Sequence, residues 1–172
     1  MHADAWVLLN APHTATAASR RGQELVDICA QFDVVHEPRY AKRNGATYCN
    51  IFVWDCTRAL GAEVPHWVYD DGRPAAMAAA GAHELDANAA IDWLAQHGST
   101  YGWNPVVEAD AYARADLGFP VVCTWRSPPG GIGHVSMVLP GHLSAQAGGT
   151  NFFMQPVSHG FGNLPVAFYS HN

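Results

Sequence analysis

Gly45-Ala46-Thr47-Tyr48-Cys49-Asn50-Ile51-Phe52-Val53-Trp54 marks the point where an irregular, turn-prone stretch gives way to an apolar run. The run predicts a helix from about Cys49 to Leu60, stopped at Gly61, with Phe52, Val53, Cys56 and Leu60 recurring at helical spacing. Ile51 and Trp54 widen the apolar surface until little of the helix is left for water, so it belongs in the middle of the domain. Cys49 then stands on the first turn, at the positive end of the helix dipole, where a thiol is expected to ionise more readily.

Upstream, Thr16 or Ser19 is placed to cap a helix through 22–29, with Leu25, Ile28, Cys29 and Phe32 on one face. Residues 33–47 read as a loop carrying Pro38 and the turn pair Asn44-Gly45. Downstream, Pro74 starts a short alanine-rich helix over 74–80, and Asp86 caps a cleaner one over 87–97, closed by Gly98. Trp103 and Pro105 fall in a loop, and 109–116 reads as a further helix. After Leu117-Gly118 the period changes to that of strands, at 119–125, 134–139, 150–155 and 165–169, separated by Gly- and Pro-rich turns. Helices first and an antiparallel sheet last is an α+β layout, here in one domain spanning 1–172.

Composition narrows the function classes. With a formal charge of −6 and nine Lys plus Arg, clustered no further than Arg20-Arg21 and Lys42-Arg43, the chain lacks a phosphate-backbone footprint, which argues against nucleic acid as a partner. Met1-His2-Ala3-Asp4-Ala5-Trp6 lacks a cationic start followed by an apolar stretch, so no signal peptide is expected, and no run reaches membrane-spanning length. The four cysteines show no metal-ligand spacing, no His-Glu-x-x-His or calcium-loop pattern occurs, and neither metal nor cofactor is expected. Cys49 and Cys56 on one helix lie about 10 Å apart along its axis, too far for an unstrained disulfide.

The chemistry rests on what stands opposite Cys49. His134 opens the run His134-Val135-Ser136-Met137-Val138-Leu139, after Gly130-Gly131-Ile132-Gly133, whose glycines are expected to leave room for a substrate backbone. A thiolate nucleophile needs such a base and a third polar group to orient it. Gln146, twelve residues after His134, returns beside it if Pro140-Gly141 turns the chain, and Asn151 is the alternative. Asn50, next to the nucleophile, is a candidate for the substrate or oxyanion side. Trp67, Trp103 and Trp125 are candidates for a groove wall or for core. Cys29, Cys56 and Cys123 sit inside apolar segments and read as core, and Asp55 as a structural tie to a neighbouring loop.

Thr47-Tyr48-Cys49-Asn50-Ile51-Phe52-Val53-Trp54-Asp55 and Gly133-His134-Val135-Ser136-Met137-Val138 together resemble the NlpC/P60 and CHAP superfamily of papain-like amidases, over roughly residues 40–169. In that group a cysteine begins a helix, a histidine begins the following sheet, and a polar residue follows on the next strand. The chain departs from the common pattern, with Tyr48 rather than Asp before the cysteine, Asn50-Ile51 rather than Ser-Gly after it, and Gln146 where His is frequent. The resemblance implies a papain-like fold and a cysteine peptidase or amidase cutting an amide of the peptidoglycan stem peptide, with Cys49, His134 and Gln146 catalytic. It also implies an oxyanion role for Tyr40, beside the Cys49 backbone N–H. Without a leader, such an enzyme would be made in the cytoplasm and reach the wall by a non-classical route, as a phage lysin or an antibacterial effector with a cognate immunity protein. A protein-directed deamidase or transglutaminase-like toxin, and a non-catalytic binding module, are the alternatives.

Overall fold

The computed structural model describes residues 6–172, so most of the stretch read for a leader, Met1 to Ala5, lies outside the described residues. The elements run α1 (Gly22–Ala30), α2 (Cys49–Ala59), β1 (Trp67–Tyr69), β2 (Ala82–Glu84), α3 (Ala87–Gln96), β3 (Trp103–Val106), α4 (Glu108–Asp116), β4 (Val121–Trp125), β5 (His134–Leu139), β6 (Leu143–Gln146), β7 (Phe152–Pro156), α5 (Val157–Phe161) and β8 (Ala167–His171). Short 3-10 turns occupy Ala17–Ser19, Pro38–Tyr40 and Gly98–Tyr101. The architecture is mixed α+β and its sheets are antiparallel. β1 and β2 form a small hairpin, and the other six strands form one sheet in the order β3-β8-β4-β5-β6-β7. Among the described residues no helix is long and apolar enough to cross a membrane.

The decisive stretch folds as its pattern requires. Nine of the eleven residues of α2 are buried, and the helix packs across β5 in the middle of the large sheet. Cys29, Cys56 and Cys123 are buried in the same core. The helix interior carries one carboxylate, Asp55, which is tied to the preceding loop. Arg39 grips it with Nε to Oδ2 at 2.7 Å and Nη2 to Oδ1 at 3.0 Å, and the Tyr40 hydroxyl donates to Oδ2 at 2.7 Å. Arg39 also reaches the Val7 carbonyl at 2.9 Å, so this buried pair clasps the 38–40 turn and the N-terminal segment to α2.

Two readings of the middle of the chain are corrected. Residues 74–80 form no helix. Pro74 bridges to Val68, the Ala75 N–H bonds to the Trp67 carbonyl at 2.8 Å, and Ala78 takes a positive φ of 54°. A seven-residue alanine-rich segment is too short to hold a helix by itself, and these side chains offer little apolar area to pack. The segment instead wraps the β1–β2 hairpin. Trp103 and Pro105, expected in a loop, form β3, which pairs with the C-terminal β8. β3 is an edge strand, where proline's missing donor costs the ladder little.

Candidate active site

α2 begins at Cys49 with Tyr48 as its N-cap residue, and β5 begins at His134. Packing the helix start on the strand start sets Cys49 against the backbone of Val135, which favours its thiolate. His134 Nε2 lies 2.6 Å from Gln146 Oε1, and the Gln146 amide nitrogen donates to the Thr150 carbonyl at 3.1 Å. That second bond fixes which end of the amide faces the ring. An acceptor facing Nε2 requires the proton there, which leaves Nδ1 as the ring's basic nitrogen. The structure thus pairs His134 with Gln146 at the start of β5 and seats Cys49 against the next residue of that strand.

Sheet register explains Gln146. Met137 pairs with Ala145 and Val138 with Ser144, so continuing the hairpin sets Gln146 opposite Ser136, on the face of β5 that carries His134 and diagonal to it. Asn151 is occupied elsewhere: its amide nitrogen donates to the Val34 and Tyr40 carbonyls, and its oxygen accepts from Gly148 N. It anchors the 34–40 loop to the β6–β7 turn and is not the orienter.

Of the three glycines before His134, Gly130 faces open space, whereas Gly131 and Gly133 make room for protein. A Cβ on Gly133 would stand 2.4 Å from Asn88 Oδ1, and one on Gly131 would stand 2.0 Å from Ser127 Oγ. Asn88, in α3, pins the approach to His134 by accepting from Ser127 N at 3.1 Å and donating to the Gly131 carbonyl at 3.0 Å. Gly160 in α5 has the same meaning for the orienter, because a Cβ there would sit 2.1 Å from Gln146 Oε1. No pattern in the sequence pointed to Asn88 or Gly160.

Two further candidates are corrected, and a third keeps its place on the cleft wall. Tyr40 is fully buried and gives its one hydroxyl proton to Asp55, so it has none for an oxyanion. Trp103 is fully buried, edge-on to His171, and walls no groove. Asn50 does line the cleft, but its amide nitrogen donates to the Leu85 carbonyl at 2.8 Å and lies 3.5 Å from His66 Nδ1. The Leu85 bond ties α2 to the β2–α3 link and takes one of the two amide hydrogens of Asn50. The Cys49 backbone N–H, at the helix start, is the remaining candidate for the oxyanion role.

Electrostatics also departs from expectation. Burial pushes the Cys49 thiol up, outweighing the backbone hydrogen bonds that favour its thiolate. Burial likewise lowers His134, against the opposing effect of its bond to Gln146. The resting pair is therefore neutral thiol and neutral imidazole. Cys49 is only 1% exposed, at the base of a cleft of about 420 Å³ whose walls include Trp6, Tyr48, Ile51, Glu84, Asp86 and Ile132. Among the described residues no group of three His, Cys, Asp or Glu side chains is arranged to hold a metal.

Behind the cleft, His66 is buried and held to about 4, below its ordinary 6.5, by desolvation and by the Arg39 charge. Between about pH 6.5 and 4 the unfolded chain takes up a proton that the folded chain refuses, so stability falls as pH drops through that window, by up to about 3 kcal/mol. Urea titrations at the two ends of the window should show this loss in the wild type and a smaller one in His66→Gln.

No known protein family matches the chain, and no curated protein matches it either.

Proposed function

We propose that the protein is a papain-like cysteine hydrolase that cuts an amide bond of cell-wall peptide. The observation that carries the reading is the 2.6 Å contact between His134 Nε2 and Gln146 Oε1, made at the start of a strand whose next residue, Val135, has Cys49 against its backbone. An amide that holds one imidazole nitrogen protonated turns the other into an acceptor for the Cys49 proton. The wall-peptide substrate is supported by the resemblance around Cys49 and His134.

In the first half-reaction Cys49 attacks the amide carbonyl as its proton passes to His134 Nδ1. The carbonyl oxygen takes up negative charge against the Cys49 N–H. The C–N bond then breaks, His134 returns the proton to the leaving amine, and a thioester remains on Cys49. In the second half-reaction His134 takes a proton from water, the hydroxide adds to the thioester, and the C–S bond breaks to release the acid and restore the thiol. Gln146 adds no charge, so the imidazolium that forms is stabilised by alignment rather than by a carboxylate.

Digestion of purified sacculi by the wild type and by Cys49→Ala, with the released fragments resolved by mass, tests the reading. Fragments from the wild type alone are expected, and their masses identify the bond. Sacculi left intact while a thiol probe still labels Cys49 would move the substrate to a soluble protein. A second expectation concerns the orienter: Gly160→Ala should lower turnover about 100-fold by displacing Gln146, the scale of a 1 Å misplacement. Circular dichroism should show the fold kept; unchanged turnover would mean that Gln146 does not orient the base.

A further inference from the structure

Pro156 ends β7 and Val157 opens α5 at once, so no loop separates the short helix from its strand. β7 pairs with β6 and sets Phe152 opposite Gln146. The His159 ring stands edge-on to Phe152, at 4.9 Å between centroids, which ties α5 back to that strand. The next two residues of the helix then meet the two members of the His134–Gln146 pair. At Gly160 the backbone comes so close that a Cβ would stand 2.1 Å from Gln146 Oε1. Phe161 is 3% exposed, and its ring lies 4.8 Å from that of His134, centroid to centroid, with 49° between the planes. Gly148, in the β6–β7 turn, approaches the same two side chains. A Cβ there would stand 3.0 Å from Gln146 Nε2 and 3.2 Å from His134 Cε1.

One hydrogen bond does not fix an imidazole. The last torsion of a histidine side chain is broad and roughly two-fold, so a ring held at Nε2 alone can rock about that contact and carry Nδ1 with it. Packing against the ring removes this freedom, and Phe161 is the aromatic side chain set against it. Phe161 does not line the cleft that holds Cys49, so it has no part in holding a substrate there. We propose that Phe161 is a positioning residue, whose ring holds the His134 imidazole in place while the backbone at Gly160 seats the Gln146 amide, so that α5 fixes where the base presents Nδ1. The proposal rests on His134 serving as the base of Cys49 in a hydrolase. Phe161 carries no charge, so its effect falls on alignment, and therefore on turnover rather than on binding.

Phe161→Leu, which keeps most of the apolar volume, and Phe161→Ala test it through two readouts. The first is the nitrogen-15 spectrum of the histidine rings in mildly alkaline solution, with the His134 signals assigned by their absence from His134→Ala. The wild type should show one protonated and one bare nitrogen for His134, the mark of a single tautomer. In both variants the two signals should move toward each other as the freed ring exchanges tautomers. The second readout is hydrolysis of a soluble wall peptide. There kcat should fall about tenfold in Phe161→Leu and about 100-fold in Phe161→Ala, with KM kept. Should circular dichroism show Phe161→Ala unfolded, Phe161→Leu decides. His134 signals as far apart in Phe161→Leu as in the wild type overturn the proposal, whatever the turnover, and so do signals already averaged in the wild type. Wild-type kcat in a folded variant overturns it as well. A wild type that cuts no wall peptide overturns the hydrolase instead, and the ring signals then decide by themselves whether Phe161 holds His134.

Discussion

Cys49→Ala is expected to bring wall-peptide hydrolysis down to the uncatalysed background, and His134→Ala to slow it about 10³-fold. The two losses differ in kind. Cys29, Cys56 and Cys123 are buried in the core and cannot stand in for the missing nucleophile. His134→Ala keeps the sulfur but strands it as a thiol, because burial raises Cys49 and the proposed proton acceptor is gone. Removing one sulfur from the end of α2 leaves the packing of Phe52, Val53 and Cys56 in place, so Cys49→Ala should unfold within about 1 kcal/mol of the wild type, whereas His134→Ala orphans the buried Gln146 oxygen and should lose about 1 to 3 kcal/mol, as judged by urea titration. A Cys49→Ala enzyme that still releases fragments would place the chemistry elsewhere.

The largest stability effect is expected at Asp55. Asp55→Ala breaks a buried ion pair whose Arg39 side chain is 5% exposed, which should cost about 3 to 5 kcal/mol. Tyr40→Phe, by contrast, removes one hydrogen bond and leaves the Arg39–Asp55 pair intact, for about 1 kcal/mol. The comparison also separates structure from catalysis. Tyr40→Phe should keep full turnover, whereas a hydroxyl in the oxyanion site would cost about 2.7 to 4 kcal/mol in the barrier. Turnover falling with that hydroxyl would restore the role that the resemblance implied for Tyr40.

The candidate centre was legible because each of its parts follows from a local rule. Cys49 was found by the change from turn residues to a helical apolar period, and Gln146 by a twelve-residue spacing that fits one tight hairpin. What escaped was set by contacts between distant segments. Nothing around Pro105 announces that residues 103–106 pair with a strand some sixty positions on, and nothing in the alanines after Pro74 announces that the β1–β2 hairpin claims them. The reactivity of Cys49 was misjudged for a related reason. The helix dipole is visible in a sequence, but the burial that outweighs it depends on β5 closing over the helix start.

The account turns on the transfer of the Cys49 proton to His134. The most direct measurement is the pH dependence of Cys49 alkylation by iodoacetamide in the wild type and in His134→Ala. Since burial lowers His134 below its ordinary 6.5, its neutral, proton-accepting form persists through neutral pH and is lost only on the acid side of that value. The wild type should therefore react across the neutral range, with its rate falling below about pH 6.5, whereas His134→Ala should react only at alkaline pH, above the ordinary thiol value of 9.0. Superimposable profiles for the two proteins would contradict the account, because Cys49 would then ionise without His134.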